Sequence, residues 1–291
     1  MKKSKLISIF IFLGILLSYG EAKEAVGEFK LSFSAGTEAA LKLKNSEGDV
    51  VIKGADIDEI YVVGKVFMKN KAMQKDANRI ADEIVNNPPV IQEGNLVDIA
   101  LIDKKDSKKV YIDYKIRVPF NTTIEAANGS GDISITNITT ALDITVGSGD
   151  VEIESVEGEM KIDAGSGDVS VNFSEGGDCD ISTGSGSIEV ENANSGLSCT
   201  AGSGDVGISG VINHPWTIKT GSGEVSVKVF EEIGFDIDIK TGSGDINLSG
   251  FTVTLNPNEM KEDKLEAIVG NGGELLKIRT GSGDVTVKKS E

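Results

Sequence analysis

Eight times along this chain a serine sits between two glycines, followed by an acidic or small polar residue and then by valine or isoleucine. The tetrapeptides are Gly129–Asp132, Gly147–Asp150, Gly165–Asp168, Gly184–Ser187, Gly202–Asp205, Gly221–Glu224, Gly242–Asp245 and Gly281–Asp284. Their starts lie 18, 18, 19, 18, 19, 21 and 39 residues apart. A short fixed period marks a chain of stacked units, none of which can bury its apolar side alone. The last interval reads as one coil carrying an insertion over residues 252–274.

The repeats align into apolar columns. Directly after each tetrapeptide stand Ile133, Val151, Val169, Ile188, Val206, Val225, Ile246 and Val285. Two residues further on stand Ile135, Ile153, Val171, Val190, Ile208, Val227, Leu248 and Val287. Ahead of the first glycine, columns such as Ile144, Ile162, Ile181 and Ile218 repeat the alternation. A period of two on both sides of a glycine turn is the strand period. Each coil therefore reads as strand, corner, strand, second turn. The expected fold is all-β: a single-stranded β-solenoid of ~18-residue coils over residues 121–291, its β-branched residues stacked inside.

On this reading the glycines are corners. The paired positions Gly129 and Gly131, Gly147 and Gly149, Gly165 and Gly167, Gly184 and Gly186, Gly202 and Gly204, Gly221 and Gly223, Gly242 and Gly244, and Gly281 and Gly283 supply sharp bends. Glycine reaches φ > 0 without a Cβ clash, and serine and aspartate can bond nearby backbone N–H groups to close the turn.

Residues 23–120 keep a looser pattern. Ser46-Glu47-Gly48-Asp49 is a degenerate corner, and Ile60–Phe67, Leu96–Ile102 and Val110–Val118 read as strands. Met73, Ala77, Ile80, Ala81, Ile84 and Val85 recur at helical spacing, predicting a helix over 71–87 that ends at Asn86-Asn87-Pro88-Pro89. Such a block would cap the first coil, because a bare solenoid end is an adhesive edge. The insertion holds a weak helix-like run and would shield the other end.

Lys2, Lys3 and Lys5 precede an apolar run, Leu6–Leu17, and then Gly20-Glu21-Ala22. This is the pattern of a secretory signal peptide over residues 1–22, and the run is too short for a comfortable membrane span. The expected location is periplasm, cell surface or medium, with no transmembrane span after cleavage. The formal charge is −17, and removing residues 1–22 takes away a net +2, leaving −19. That surface repels nucleic acid and anionic lipid. The two cysteines, Cys179 and Cys199, fall in inward columns of adjacent coils but two residues out of register. Strand geometry then separates their Cα atoms by ~8 Å, beyond disulfide reach, so two buried free thiols are expected.

Tyr111–Pro119, reading YIDYKIRVP, followed by the repeated TGSGDV-like corners and preceded by the amphipathic helix near 71–87, resembles the bacterial β-strand-repeat family of unknown function called "putative adhesin". The resemblance covers most of the chain after residue 22. It implies an exported, non-enzymatic β-solenoid, wound right-handed; for its acidic polar face an envelope, protein or glycan partner is expected. It defines no catalytic residues.

Other chemistries can be weighed on the residues. Asp132, Asp150, Asp168, Asp205, Glu224, Asp245 and Asp284 line one edge, and glycine-rich calcium rolls also stack aspartates near glycines. In those rolls the aspartate falls two residues after a glycine and recurs at both corners. Here it follows directly, and the opposite corners vary, so turn capping is favoured over calcium and no cofactor is expected. His214 is the sole histidine, which rules out a zinc site of several histidines. A glycan-cleaving solenoid needs paired carboxylates in a cleft, which a regular ladder does not make. The column ahead of the glycines (Asn128, Val146, Ala164, Thr183, Ala201, Thr220, Thr241, Thr280) is too mixed for an ice-binding threonine array.

Overall fold

The computed structural model describes residues 24–36, 38–174, 176–230, 234–255 and 263–290. Residues 1–22, read as a signal peptide, lie outside the described residues. No helix among the described residues is long and apolar enough to cross a membrane.

Two long sheets lie face to face, one of 12 strands and one of 13. Each corner joins a strand of one sheet to a strand of the other. Leu142–Ser148, for example, passes through the Gly147 corner into Val151–Val156. Coils pair in parallel and in register: Ile144 lies beside Ile162, and Ile162 beside Ile181. Side chains alternate across each strand, so every second residue enters the space between the sheets. There Ile144, Ile162, Ile181, Cys199, Ile218 and Ile278 form one continuous column, each fully buried. Parallel in-register stacking of β-branched residues is the main source of cohesion, since each buried branched side chain contributes roughly 1.5–3 kcal/mol.

The coil series begins earlier than residue 121. Ala40–Asn45 pairs with Thr123–Ser130, and Val50–Ala55 pairs with Ile133–Ile138. The Ser46–Asp49 corner therefore belongs to a full coil stacked on the Gly129 coil. Beyond it Val110–Pro119 adds one more parallel strand beside Val50–Ala55, and Glu59–Met68 and Gly27–Ser34 then close that sheet antiparallel. The other closes with Leu96–Ile99, shorter than expected, and Val90–Glu93.

The expected helix is a short 3-10 turn, Lys71–Met73, leading into Gln74–Asn86. It buries Ala77, Ile80, Ala81 and Ile84. Gly27 lets it approach, since a Cβ there would lie 3.0 Å from Val85. Met73 stays 40% exposed, so the apolar stripe is one residue shorter at its start than the spacing suggested.

The other end differs from expectation in order. Val225–Val229 pairs with Val285–Lys289, and Val285–Lys289 pairs in turn with Ile246–Ser249. Trp216–Ser222 likewise pairs with Glu274–Ser282, which pairs with Phe235–Thr241. The Gly281 coil thus lies between the Gly221 and Gly242 coils. The 39-residue interval does carry an insertion, the strands Val253–Leu255 and Lys264–Val269, but the two coils it joins stack out of sequence order. Within residues 252–274, Lys264–Val269 is a strand where a helix-like run was expected. It pairs antiparallel with Phe235–Thr241 and with Val253–Leu255, covering the end of one sheet. Alternating Leu265, Ala267 and Val269 supply the buried side of that strand.

Candidate functional site: corners and outer faces

The two glycines of each corner do different work. The second carries a left-handed bend at six of the eight corners: φ is 145° at Gly149 and 147° at Gly167, a region closed to branched side chains. The first is small because coils touch there. A Cβ on Gly147 would lie 2.4 Å from the carbonyl oxygen of Gly129, and one on Gly165 2.5 Å from that of Gly147.

The acidic column also behaves differently from a turn cap. Asp132 Oδ1 accepts the backbone N–H of Asp150 at 2.9 Å, and Asp150 Oδ1 accepts that of Asp168 at 2.9 Å. Asp168 Oδ1 accepts from Ser187, Asp205 Oδ1 from Glu224, and Asp284 Oδ1 from Asp245, each at 2.8 Å. The ladder starts in the cap, where Asp113 accepts from Asp49 and Asp49 from Asp132. These aspartates thus bond the neighbouring coil's corner rather than their own. Among the described residues the column does not come together as a metal site, since no group of three or more His, Cys, Asp or Glu could hold an ion.

A second ladder runs inside. Thr183 Oγ1 donates to the Gly167 carbonyl at 3.2 Å, Thr220 to Gly204 at 3.0 Å and Thr241 to Gly283 at 3.2 Å. Asn128 Nδ2 donates to Gly48 and Gly131, both at 2.9 Å. These residues are buried, which disqualifies the column for ice binding more directly than its mixed composition does. Sequence reasoning missed this role. Its signal was the position: small hydroxyl or amide residues immediately before a glycine corner whose carbonyls face inward.

The remaining candidates are spread apart. Cys179 pairs in register with Leu197 and Cys199 with Ile181, so the thiols are offset as expected, and both are free and buried. Burial pushes the Cys179 thiol up to about 12 and the Cys199 thiol well above its ordinary value. His214 is exposed, its Nδ1 3.1 Å from Asn213 Oδ1. Arg279 is tied to Asp238.

Charge divides sharply between the parts. Residues 23–120 carry 16 Lys or Arg against 16 Asp or Glu, whereas residues 121–291 carry 10 against 29. All of the net charge outside residues 1–22 therefore belongs to the repeat region. On the outer face of one sheet Glu152, Glu154, Glu189 and Glu191 project into solvent beside the corner aspartates.

Two sheets of in-register parallel coils with glycine corners define a β-repeat scaffold of the solenoid type. The chain belongs to the Toastrack family, DUF4097, which matches residues 39–288. No curated protein matches it. Among solved structures it is similar to a "putative adhesin" from Bacteroides fragilis, with 13% identity and TM-score 0.49, covering 90% of this chain and 97% of that one. It is also similar to a "putative cell adhesion protein" from Clostridium sporogenes, with 13% identity and TM-score 0.31, covering 90% and 100%. A third, a "putative lipid binding protein" from Parabacteroides distasonis, shows 12% identity and TM-score 0.35, covering 91% and 97%.

Proposed function

We propose that this Toastrack chain is an exported, non-enzymatic binding protein of adhesin type. It is a rigid right-handed solenoid presenting a polar, acidic face to an envelope component, a protein or a glycan. One observation carries the reading: 29 acidic residues against 10 basic ones lie on a stack whose corners are locked coil to coil. A regular array of fixed side chains suits multi-point recognition, because little ordering entropy is lost on contact. The corner aspartates Asp132, Asp150, Asp168, Asp205 and Asp284 support a structural rather than catalytic part, since one oxygen of each is engaged by a backbone N–H. The acidic field disfavours nucleic acid and anionic lipid as partners. The test is binding of fluorescently labelled protein to whole cells and isolated envelopes. Saturable binding that leaves the bound material chemically unchanged supports the proposal; absence of binding, or turnover of envelope glycan, defeats it.

A further inference from the structure

One glycine has no backbone reason to be there. Among the described glycines, an added Cβ finds nothing within 4 Å only at Gly94 and Gly207. Gly94 needs its φ of 61°. Gly207 has no positive φ, and it sits in the middle of the strand Val206–Gly210 with its open side toward solvent. Glycine inside a strand is unfavourable for the sheet, and where neither bend nor backbone approach explains it, it marks room for a ligand.

The neighbours of that gap are polarised. Gly207 pairs with Glu189 on one side and Ser226 on the other. Ser209 pairs with Lys228, and Lys228 with Lys288. The resulting hollow has a volume of about 450 Å³, inside the ~300–1,000 Å³ range of small-molecule sites. Glu189 and Glu191 stand on one wall and Lys228 and Lys288 on the other, with Phe230, 37% exposed, at the rim. Lys228 is one of only three cations in residues 121–230, with Lys161 and Lys219. Neither Lys228 nor Lys288 forms an ion pair among the described residues. Two ammonium groups on adjacent strands, whose backbones lie ~4.8 Å apart, repel unless an anion bridges them.

We infer that the Gly207 hollow is a binding subsite for a zwitterionic saccharide, a sugar bearing both an amine and an anionic group. Lys228 and Lys288 take the anion. Glu189 and Glu191, two strands away, take the ammonium and accept from ring hydroxyls. Gly207 and Ser209 leave the floor clear for the ring, and Phe230 offers an aromatic surface to its apolar face. The inference rests on the reading of the chain as a binding protein and names one ligand class for it.

Gly207→Leu isolates the point, because its Cβ meets nothing within 4 Å, its side chain takes up space in the hollow, and it favours the strand over glycine. Glucosamine 6-phosphate is titrated into the purified protein at millimolar concentration, with amide shifts of Ser209, Ser226 and Phe230 as readout. The expected result is saturable shifts in the wild type, weakened about tenfold or more in a Gly207→Leu protein of unreduced Tm. N-acetylglucosamine 6-phosphate and glucosamine, each lacking one charge, should bind more weakly than the zwitterion. Absent shifts, or equal affinity in Gly207→Leu, overturn the subsite. Equal binding of either single-charge sugar overturns the zwitterion assignment, and equal binding of phosphoethanolamine overturns the saccharide. Envelope binding by wild type and variant, measured alongside, separates failure of this subsite from failure of the broader proposal.

Discussion

The backbone N–H of Asp168 donates to Asp150 Oδ1 at 2.9 Å, across the gap between two coils. The bond makes the corner aspartate a strut between neighbours. Removing one should loosen a coil interface while leaving each turn able to form. Asp150→Ala should therefore lower stability by about 1 kcal/mol, the usual net worth of one hydrogen bond. Asp150→Asn, which keeps an acceptor oxygen, should recover most of it. Urea unfolding of both variants measures this; an Asp150→Ala midpoint equal to wild type would remove the strut from the account.

The ladder has a gap that can be filled. The Ser187 backbone N–H donates to Asp168 Oδ1, but Ser187 has no carboxylate to accept from the N–H of Asp205, the next corner. Ser187→Asp should supply one and raise Tm. The gain should be larger at high salt, where repulsion from the flanking Asp168 and Asp205 is screened. A lower Tm at every salt concentration would show that repulsion exceeds the new bond.

The glycine positions predict a contrast in which the same substitution costs different amounts along one chain. Gly149→Val meets both a φ of 145° and a carbonyl oxygen of Gly131 at 2.2 Å from its Cβ, and should lose roughly 2–5 kcal/mol. Gly147→Val meets only the second kind of obstacle, with the Gly129 carbonyl at 2.4 Å, and should still be strongly destabilising. Gly207→Val should be neutral or stabilising. Thermal melts of the three give the ranking, and a tolerated Gly149→Val would contradict the corner geometry.

Much of this was legible because the apolar columns are chemically uniform. Ile144, Ile162 and Ile181 announce a buried seam at a fixed period, and the structure pairs them in register. The stacking order at the far end was not legible, for the same reason. The Gly242 and Gly281 coils carry equivalent columns, Ile246 and Val285, Leu248 and Val287, so either could follow the Gly221 coil. The choice goes with the antiparallel strand Lys264–Val269, which occupies the outer edge of Phe235–Thr241 and leaves its inner edge for Glu274–Ser282. The partner of each corner carboxylate was also beyond the sequence, because an aspartate in a tight turn can reach its own loop as readily as the next one. The hollow at Gly207 was hidden among many glycines and emerges only when each is asked what a Cβ would meet.

Calcium should leave the fold unchanged. One oxygen of each of Asp132, Asp150 and Asp168 already accepts a backbone N–H, which supports a structural rather than a metal-binding column. Melting curves in excess EDTA and in millimolar calcium should coincide. A large rise with calcium would mean that the folded state binds the ion, and the corners would then be metal sites.

The buried thiols predict both reactivity and pH response. Cys179 and Cys199 should resist alkylation in the folded protein and react only on unfolding, since the thiolate is the nucleophile and burial disfavours it. Their folded pKa values are raised, so their contribution is fully present below the ordinary thiol pKa. It is lost as pH rises from there toward about 12, the folded value for Cys179. Over that window stability should fall less steeply in a Cys179→Ala/Cys199→Ala protein than in wild type. Rapid labelling under native conditions would refute the burial.

The out-of-order stack makes the most direct prediction about architecture. If coils followed chain order, Ile246–Ser249 would lie inside and Val285–Lys289 at the exposed end. The pairing shows the reverse: Val285–Lys289 has Val225–Val229 on one side and Ile246–Ser249 on the other. Burial agrees, with Val285 and Val287 fully buried and Ile246 and Leu248 only partly so. Amide exchange tracks such differences, because edge strands open locally while inner strands wait for larger unfolding. Amides of Val285 and Val287 should exchange about as slowly as those of Val225 and Val227, and those of Ile246–Ser249 much faster. Slow exchange at Leu248 with fast exchange at Val287 would restore the sequential order.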